Sequence, residues 1–103
     1  MSKQLLQQEV TMETQMGKFK LGRTLITPGA MEEVHPEDVI RGMQRHAQGD
    51  WGDCGEDDWA ANNAALHEGT RLFSVYRDRA GTTFWVITEA DRSATTVILP
   101  SEY

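Results

Sequence analysis

The chain of 103 residues has no uninterrupted apolar run of eighteen residues, so it offers no transmembrane helix. Its N-terminal residues lack an apolar stretch of signal-peptide length, and the expected location is the cytosol. A single cysteine, Cys54, excludes an internal disulfide framework and a cysteine-rich zinc module. Positive charge is missing where negative charge collects: between residues 50 and 70 there is no Lys or Arg. That stretch holds Asp50, Asp53, Glu56, Asp57, Asp58 and Glu68, which account for the whole net charge of −6. The flanking stretches 1–49 and 71–103 are each neutral. Such a balance disfavours simple tethering to a phosphate backbone, although the arginines of the C-terminal part leave room for a small basic pocket.

What is present reads as one α+β domain over residues 17–103, preceded by a Gln- and Met-rich segment, 1–16, expected to be a flexible arm. Phe19–Thr27 has strand-like composition, weakened by Gly22. Thr27 and Pro28 are a helix cap and first helical residue, and a short helical turn follows through Ala30–Val34. A second helix begins at Pro36, with Glu37 and Asp38 in its first turn and Arg45 and His46 near its end. Val39, Ile40, Met43 and Ala47 fall on one of its faces, and Gly49 stops it. After the loop Asp50–Gly55 a third helix spans roughly Glu56–Glu68, with Trp59, Asn63 and Leu66 on one side. Its acidic first turn has a bland reading as carboxylates at the positive end of a helix dipole.

The remainder predicts an antiparallel β-meander: Arg71–Arg77, a turn at Ala80-Gly81, Thr82–Thr88, a turn at Ala90–Ser93, and Ala94–Leu99. With Phe19–Thr27 the sheet has three or four strands, packed against two main helices and one short helix. One face is expected to carry Phe73, Val75, Trp85, Ile87, Val97 and Leu99, under the helices. The other carries Ser74, Tyr76, Phe84, Val86, Thr96 and Ile98, which need cover from the N-terminal strand, the arm or another subunit. Homodimerisation is therefore an expectation.

Two segments are distinctive, RHAQGDWGD from Arg45 to Asp53 and WVITEADRSATTVILPSEY from Trp85 to Tyr103. With Thr27–Ala30, the Asn62/Asn63 helix and the RLFSVY strand, they resemble a family of short uncharacterised bacterial proteins of plasmids and other mobile DNA. The resemblance covers about residues 19–103. Members are sometimes loosely labelled type I restriction enzyme subunit M, but this chain is smaller than a methyltransferase cofactor domain and has no Gly-rich strand-to-helix turn. The resemblance implies a mobile-DNA setting and no particular chemistry.

Two functional readings follow. In the first, the chain is a non-enzymatic accessory module that binds another protein, such as a component of a host defence system. Its acidic loop would make the contact, with Asp50, Trp51, Asp53, Asp57 and Asp58 as binding residues and Trp51 as an anchor. The structural alternative folds Trp51 back as a lid over the sheet, with Asp50 and Asp53 bonded to backbone N–H groups or to Arg71 or Arg92. In the second reading, His46, Arg71, Ser74, Tyr76, Arg92 and Thr95 serve a metal-independent ribonuclease with a barnase- or RelE-type architecture. There His46 moves the 2′-OH proton and the arginines hold the phosphate. Nucleic acid is a partner only in this second case. The structural alternative makes His46 a helix-terminal cation and Tyr76 a packed strand residue. His46, Asp50, Asp53, Cys54, Asp57 and His67 supply metal-ligand types at spacings that match no zinc or calcium pattern, so neither metal nor cofactor is expected.

Overall fold

The computed structural model describes residues 8–9 and 17–103; the arm expected over 1–16 lies outside the described residues except for Gln8–Glu9. The fold is α+β. Strands β2 (Arg23–Ile26), β3 (Leu72–Arg77), β4 (Thr83–Thr88) and β5 (Ala94–Ile98) form a mixed sheet, and β1 (Gln8–Glu9) adds a two-residue edge beside β2. The sheet order is β1-β2-β5-β4-β3. β3, β4 and β5 make the expected antiparallel meander, but β2 lies parallel to β5, with Arg23 opposite Ala94 and Ile26 opposite Val97. Helices α1 (Pro28–Glu33), α2 (Pro36–Ala47) and α3 (Glu56–Glu68) fall in the long connection between β2 and β3.

Local chemistry sets the boundaries. Thr27 caps α1 by accepting from the Ala30 N–H, and Pro28 opens the helix. His35 caps α2 through Nδ1, which accepts from the Glu37 N–H at 3.2 Å. Gly69, with φ 72, closes α3 in the left-handed conformation. β2 is shorter than Phe19–Thr27 because Gly22 turns there, with φ 68 and only 2.4 Å between a Cβ at that position and the Ser93 backbone.

The helices cover the sheet face opposite to the one expected. Ser74, Tyr76, Phe84, Val86 and Val97 point inward and are buried, together with Leu72, Thr88, Thr95, Thr24 and Ile26. Ile26, Tyr76, Phe84, Val86 and Val97 pack with Ala30, Val34, Val39 and Met43 of the helical layer. Phe73, Val75, Trp85, Thr96 and Ile98 occupy the outer face and stay half-buried. Thr96, Val97 and Ile98 thus exchange the faces assigned from sequence. The cause is the β4–β5 connection, where Arg92 adopts φ 61 and the register pairs Val86 with Val97 and Ile87 with Thr96. Part of the cover for the outer face comes from Tyr103, whose ring meets Trp85 edge-on at 5.4 Å.

A second cluster, Trp51, Ala65 and Leu72 with Phe19, Cys54, Trp59 and Leu66, joins α3 to the β3 edge. That edge is closed by hydrogen bonds. The buried Asn62 side chain accepts from the Phe73 N–H at 3.0 Å and donates to the Phe73 carbonyl at 2.7 Å, so it stands in for a neighbouring strand. One step along, the Val75 N–H donates to the Trp51 carbonyl and the Val75 carbonyl accepts from the Asp53 N–H. An open strand edge is a template for unwanted pairing, and here it is filled from within the chain. Asn62→Ala strands both Phe73 groups and is expected to cost about 2 kcal/mol, read from urea unfolding; a loss within experimental error would contradict this role.

Candidate functional site

His46 lies on the α2 stripe formed by Val39 and Met43, and this spacing aims it at the sheet. It is fully buried between β3 and β4. Nδ1 is 2.5 Å from Ser74 Oγ and Nε2 is 2.8 Å from Thr88 Oγ1. Thr88 Oγ1 is 2.7 Å from Thr95 Oγ1, which donates to the Leu21 carbonyl at 2.7 Å. That terminal carbonyl can only accept, and it orients every proton in the chain. Thr95 gives its proton to Leu21 and accepts from Thr88; Thr88 then accepts from His46 Nε2–H, leaving Nδ1 to accept from Ser74. The hydroxyl line therefore puts a proton on Nε2, and burial keeps the imidazole neutral with Nδ1 as acceptor.

Aromatic rings seal this chain. Phe19 and Trp51 meet the imidazole edge-on at 5.3 and 5.5 Å, and stack on each other at 6.3 Å. Burial, with a smaller contribution from the Arg92 charge, pushes the His46 pKa down from 6.5 to about 3.

Three members of the expected nuclease set, His46, Ser74 and Thr95, do meet in space, linked by Thr88, which the sequence reading missed. All four are sealed from solvent, so the imidazole cannot contact an RNA 2′-OH in this structure. Tyr76 stands beside Ser74 on the same face of β3, whereas Arg71 and Arg92 bind other groups. Arg71 is exposed and donates to Tyr103 Oη at 2.8 Å, with Glu89 at 3.9 Å. Tyr76 donates to the Asp50 carbonyl at 2.5 Å, lies under Arg45, and is pushed up by burial. Arg92 donates to the carbonyls of Thr70, Glu89, Ala90 and Ala65, gathering the end of α3 and the β4–β5 turn. It does not bind an aspartate of the acidic loop.

The acidic loop is equally reordered. Trp51 is fully buried and donates from Nε1 to Asn63 Oδ1 at 3.0 Å, so it is a core residue and not an exposed anchor. Gly52 makes this possible: its φ is 76, and a Cβ there would lie 2.0 Å from the Val75 carbonyl oxygen. Trp59 Nε1 donates to the Gly52 carbonyl at 3.1 Å. Asp50 accepts from Arg45 Nε at 2.7 Å and NH2 at 3.2 Å, and from the Gly52 N–H. The Arg45 guanidinium holds its carboxyl below the ordinary range. Asp53 pairs with Arg77 at 3.4 Å. The partners of these aspartates are Arg45 and Arg77 rather than Arg71 and Arg92. Asp57 and Asp58 are exposed in the first turn of α3, and Glu56 stands beside them. No Lys or Arg pairs with Glu56, Asp57 or Asp58 among the described residues.

Cys54 directs its thiol to the Trp51 carbonyl at 3.3 Å, and burial pushes its pKa up, away from a nucleophilic thiolate. Among the described residues no group of three or more His, Cys, Asp or Glu side chains is placed to hold a metal ion.

No protein-family model, curated protein or solved structure is similar enough to this chain to count as a match.

The His46 environment has a pH signature. The native protein keeps the imidazole neutral down to about pH 3, while the unfolded chain takes up its proton near 6.5. The His46 contribution is thus fully present above 6.5 and is lost as pH falls, at about 1.4 kcal/mol per unit. His46→Gln can keep a donor and an acceptor in place without titrating. It is expected to flatten the stability profile between pH 6.5 and 4.5 in urea unfolding; an unchanged slope would contradict the assignment. Arg92→Leu strands several carbonyls at once and is expected to lose about 2–3 kcal/mol, measured by the same method. Full retention of stability would show that water replaces these bonds without loss.

Proposed function

We propose that this chain is a non-catalytic accessory module that binds another protein through the acidic edge of α3, in the mobile-DNA setting that its motifs resemble. The observation that carries this reading is the exposed run Glu56, Asp57 and Asp58, which has no cationic partner among the described residues and has Asp53 nearby. The rest of the loop is spent on the fold, so the contact is electrostatic and does not use Trp51. The helix dipole tolerates these carboxylates at the α3 N-terminus, and the closed β3 edge holds the turn in place. A basic surface is the complementary partner, and association through such charges is fast and salt-sensitive. A component of a host defence or nucleic-acid-handling system fits this description. The ribonuclease alternative loses support because its acid–base group is sealed inside the protein.

The test is affinity capture from the bacterial host with the wild type and the Glu56→Gln, Asp57→Asn, Asp58→Asn triple variant, at low and high salt. A basic protein retained by the wild type, released by salt and at least about tenfold depleted on the triple variant supports the reading. Equal capture by both proteins contradicts it. RNA cleavage by purified wild type, absent in His46→Gln, would restore the enzyme.

A further inference from the structure

A second charged feature lies apart from the α3 turn and has the opposite sign. Arg41 and Arg45 stand one turn apart on α2, Arg77 ends β3 and Arg79 follows it; all four line one open cleft of about 470 Å³. Asp38 and Asp78 are the only carboxylates in that lining, so four guanidinium groups face two carboxylates there in a protein whose net charge is −6. Both carboxylates are committed. Asp38 is bound to Arg79, and Asp78 accepts from the backbone N–H groups of His35, Ala80 and Thr82.

The arginines differ in what they have to spare. Arg79 is taken by Glu37 and Asp38, and Arg45 by Asp50. Arg77 Nε is 3.4 Å from Asp53, longer than the contacts of Arg45 and Arg79, on an exposed side chain. Arg41 is exposed and has no acidic partner among the described residues. Two guanidinium groups from different elements therefore keep donors for an incoming anion.

The floor of the cleft is built from Tyr76 and Phe84, whose rings meet at a tilt of 47°. Arg45 lies over the Tyr76 ring at 4.7 Å, with Phe84 beside it. Gly42 lets α2 pack directly on these rings, because a Cβ there would come within 2.9 Å of the Phe84 ring, and the exposed part of the layer is the half-exposed Arg45 side chain. A guanidinium held over an aromatic ring offers its outer face to a further planar group. The volume falls in the range of small-molecule sites.

We propose that this cleft binds a mononucleotide-sized ligand, with its phosphate held by Arg41 and Arg77 and its planar ring laid on the Arg45 guanidinium where that group covers Tyr76. Phosphate fits better than carboxylate because each of two separate guanidinium forks needs oxygens of its own. The site is independent of the acidic turn, so either assignment can fail alone.

The test is calorimetric titration of the full chain with AMP, GMP, CMP and UMP, with adenosine and inorganic phosphate as the separated halves. Saturable binding of a mononucleotide below about 1 mM is expected, with each half binding more weakly. Arg41→Gln and Arg77→Gln are each expected to weaken it about tenfold or more, whereas Arg23→Gln, outside the cleft, leaves it unchanged. These side chains are exposed, and circular dichroism checks the fold of each variant. The proposal is overturned if no mononucleotide saturates, if Arg23→Gln weakens binding as much as Arg41→Gln, or if inorganic phosphate binds as tightly as the nucleotides.

Discussion

The packing of α2 on the sheet depends on one neutral imidazole. His46 joins β3 and β4 through Ser74 and Thr88, and Thr88 passes the connection to β5 through Thr95. An apolar residue at position 46 would leave Ser74 without its partner and break the line of oriented hydroxyls, each costly to strand in a dry interior. The carbonyl of Leu21 at the far end fixes the direction of the whole line. Trp51 and Phe19 then have a defined polar group to close over, which is why the loop between α2 and α3 and the segment before β2 meet above the same ring.

The acidic segment divides into two parts with different tasks. Its first part, Asp50 to Asp53, is bonded into the fold: Arg45 neutralises Asp50, Gly52 lets the backbone reach β3, and the carbonyl of Trp51 pairs with Val75. Its second part, Glu56 to Asp58, stays in solvent on the first turn of α3. Arg45, Arg71, Arg77 and Arg79 each have a nearby acid, whereas the α3 turn and Arg41 depart from that pattern, with no ion-pair partner among the described residues. These departures have opposite signs and lie on different elements.

Much of the fold was readable from local signals. Thr27-Pro28, Pro36 with its acidic first turn, and Gly69 mark helix ends by chemistry that acts within a few residues, and Ala80-Gly81 marks a turn in the same way. The meander was legible for the same reason. Three features were not. The parallel placement of β2 depends on contacts with β5 about seventy residues away, which no local pattern encodes. The facing of β5 depends on one positive φ at Arg92, a residue type that gives no warning of it. The site residues were located in part: His46, Ser74 and Thr95 do come together, but the sequence could not say that they meet in a sealed interior. Thr88 carried a usable signal, since it alternates with Phe84 and Val86 on one strand face. Asn62 carried less, because side-chain pairing with a strand edge has no periodicity. Trp51, between an acid and a glycine, looked like a surface group because neighbouring polarity says little about a side chain on a turn that folds inward.

The placement of β2 also has a consequence in time. Arg23–Ile26 takes its hydrogen-bonded neighbour from Ala94–Val97, and the first ring of the His46 seal, Phe19, lies just ahead of it. A ribosome adding roughly 5–20 residues per second needs several seconds to make the intervening stretch. Until β5 has emerged, β2 has no partner on that side, the hydroxyl line lacks Thr95 to connect it to the Leu21 carbonyl, and the inner sheet face has no central strand. The helices can form early, but the sheet cannot close between β2 and β4 before β5 has been made.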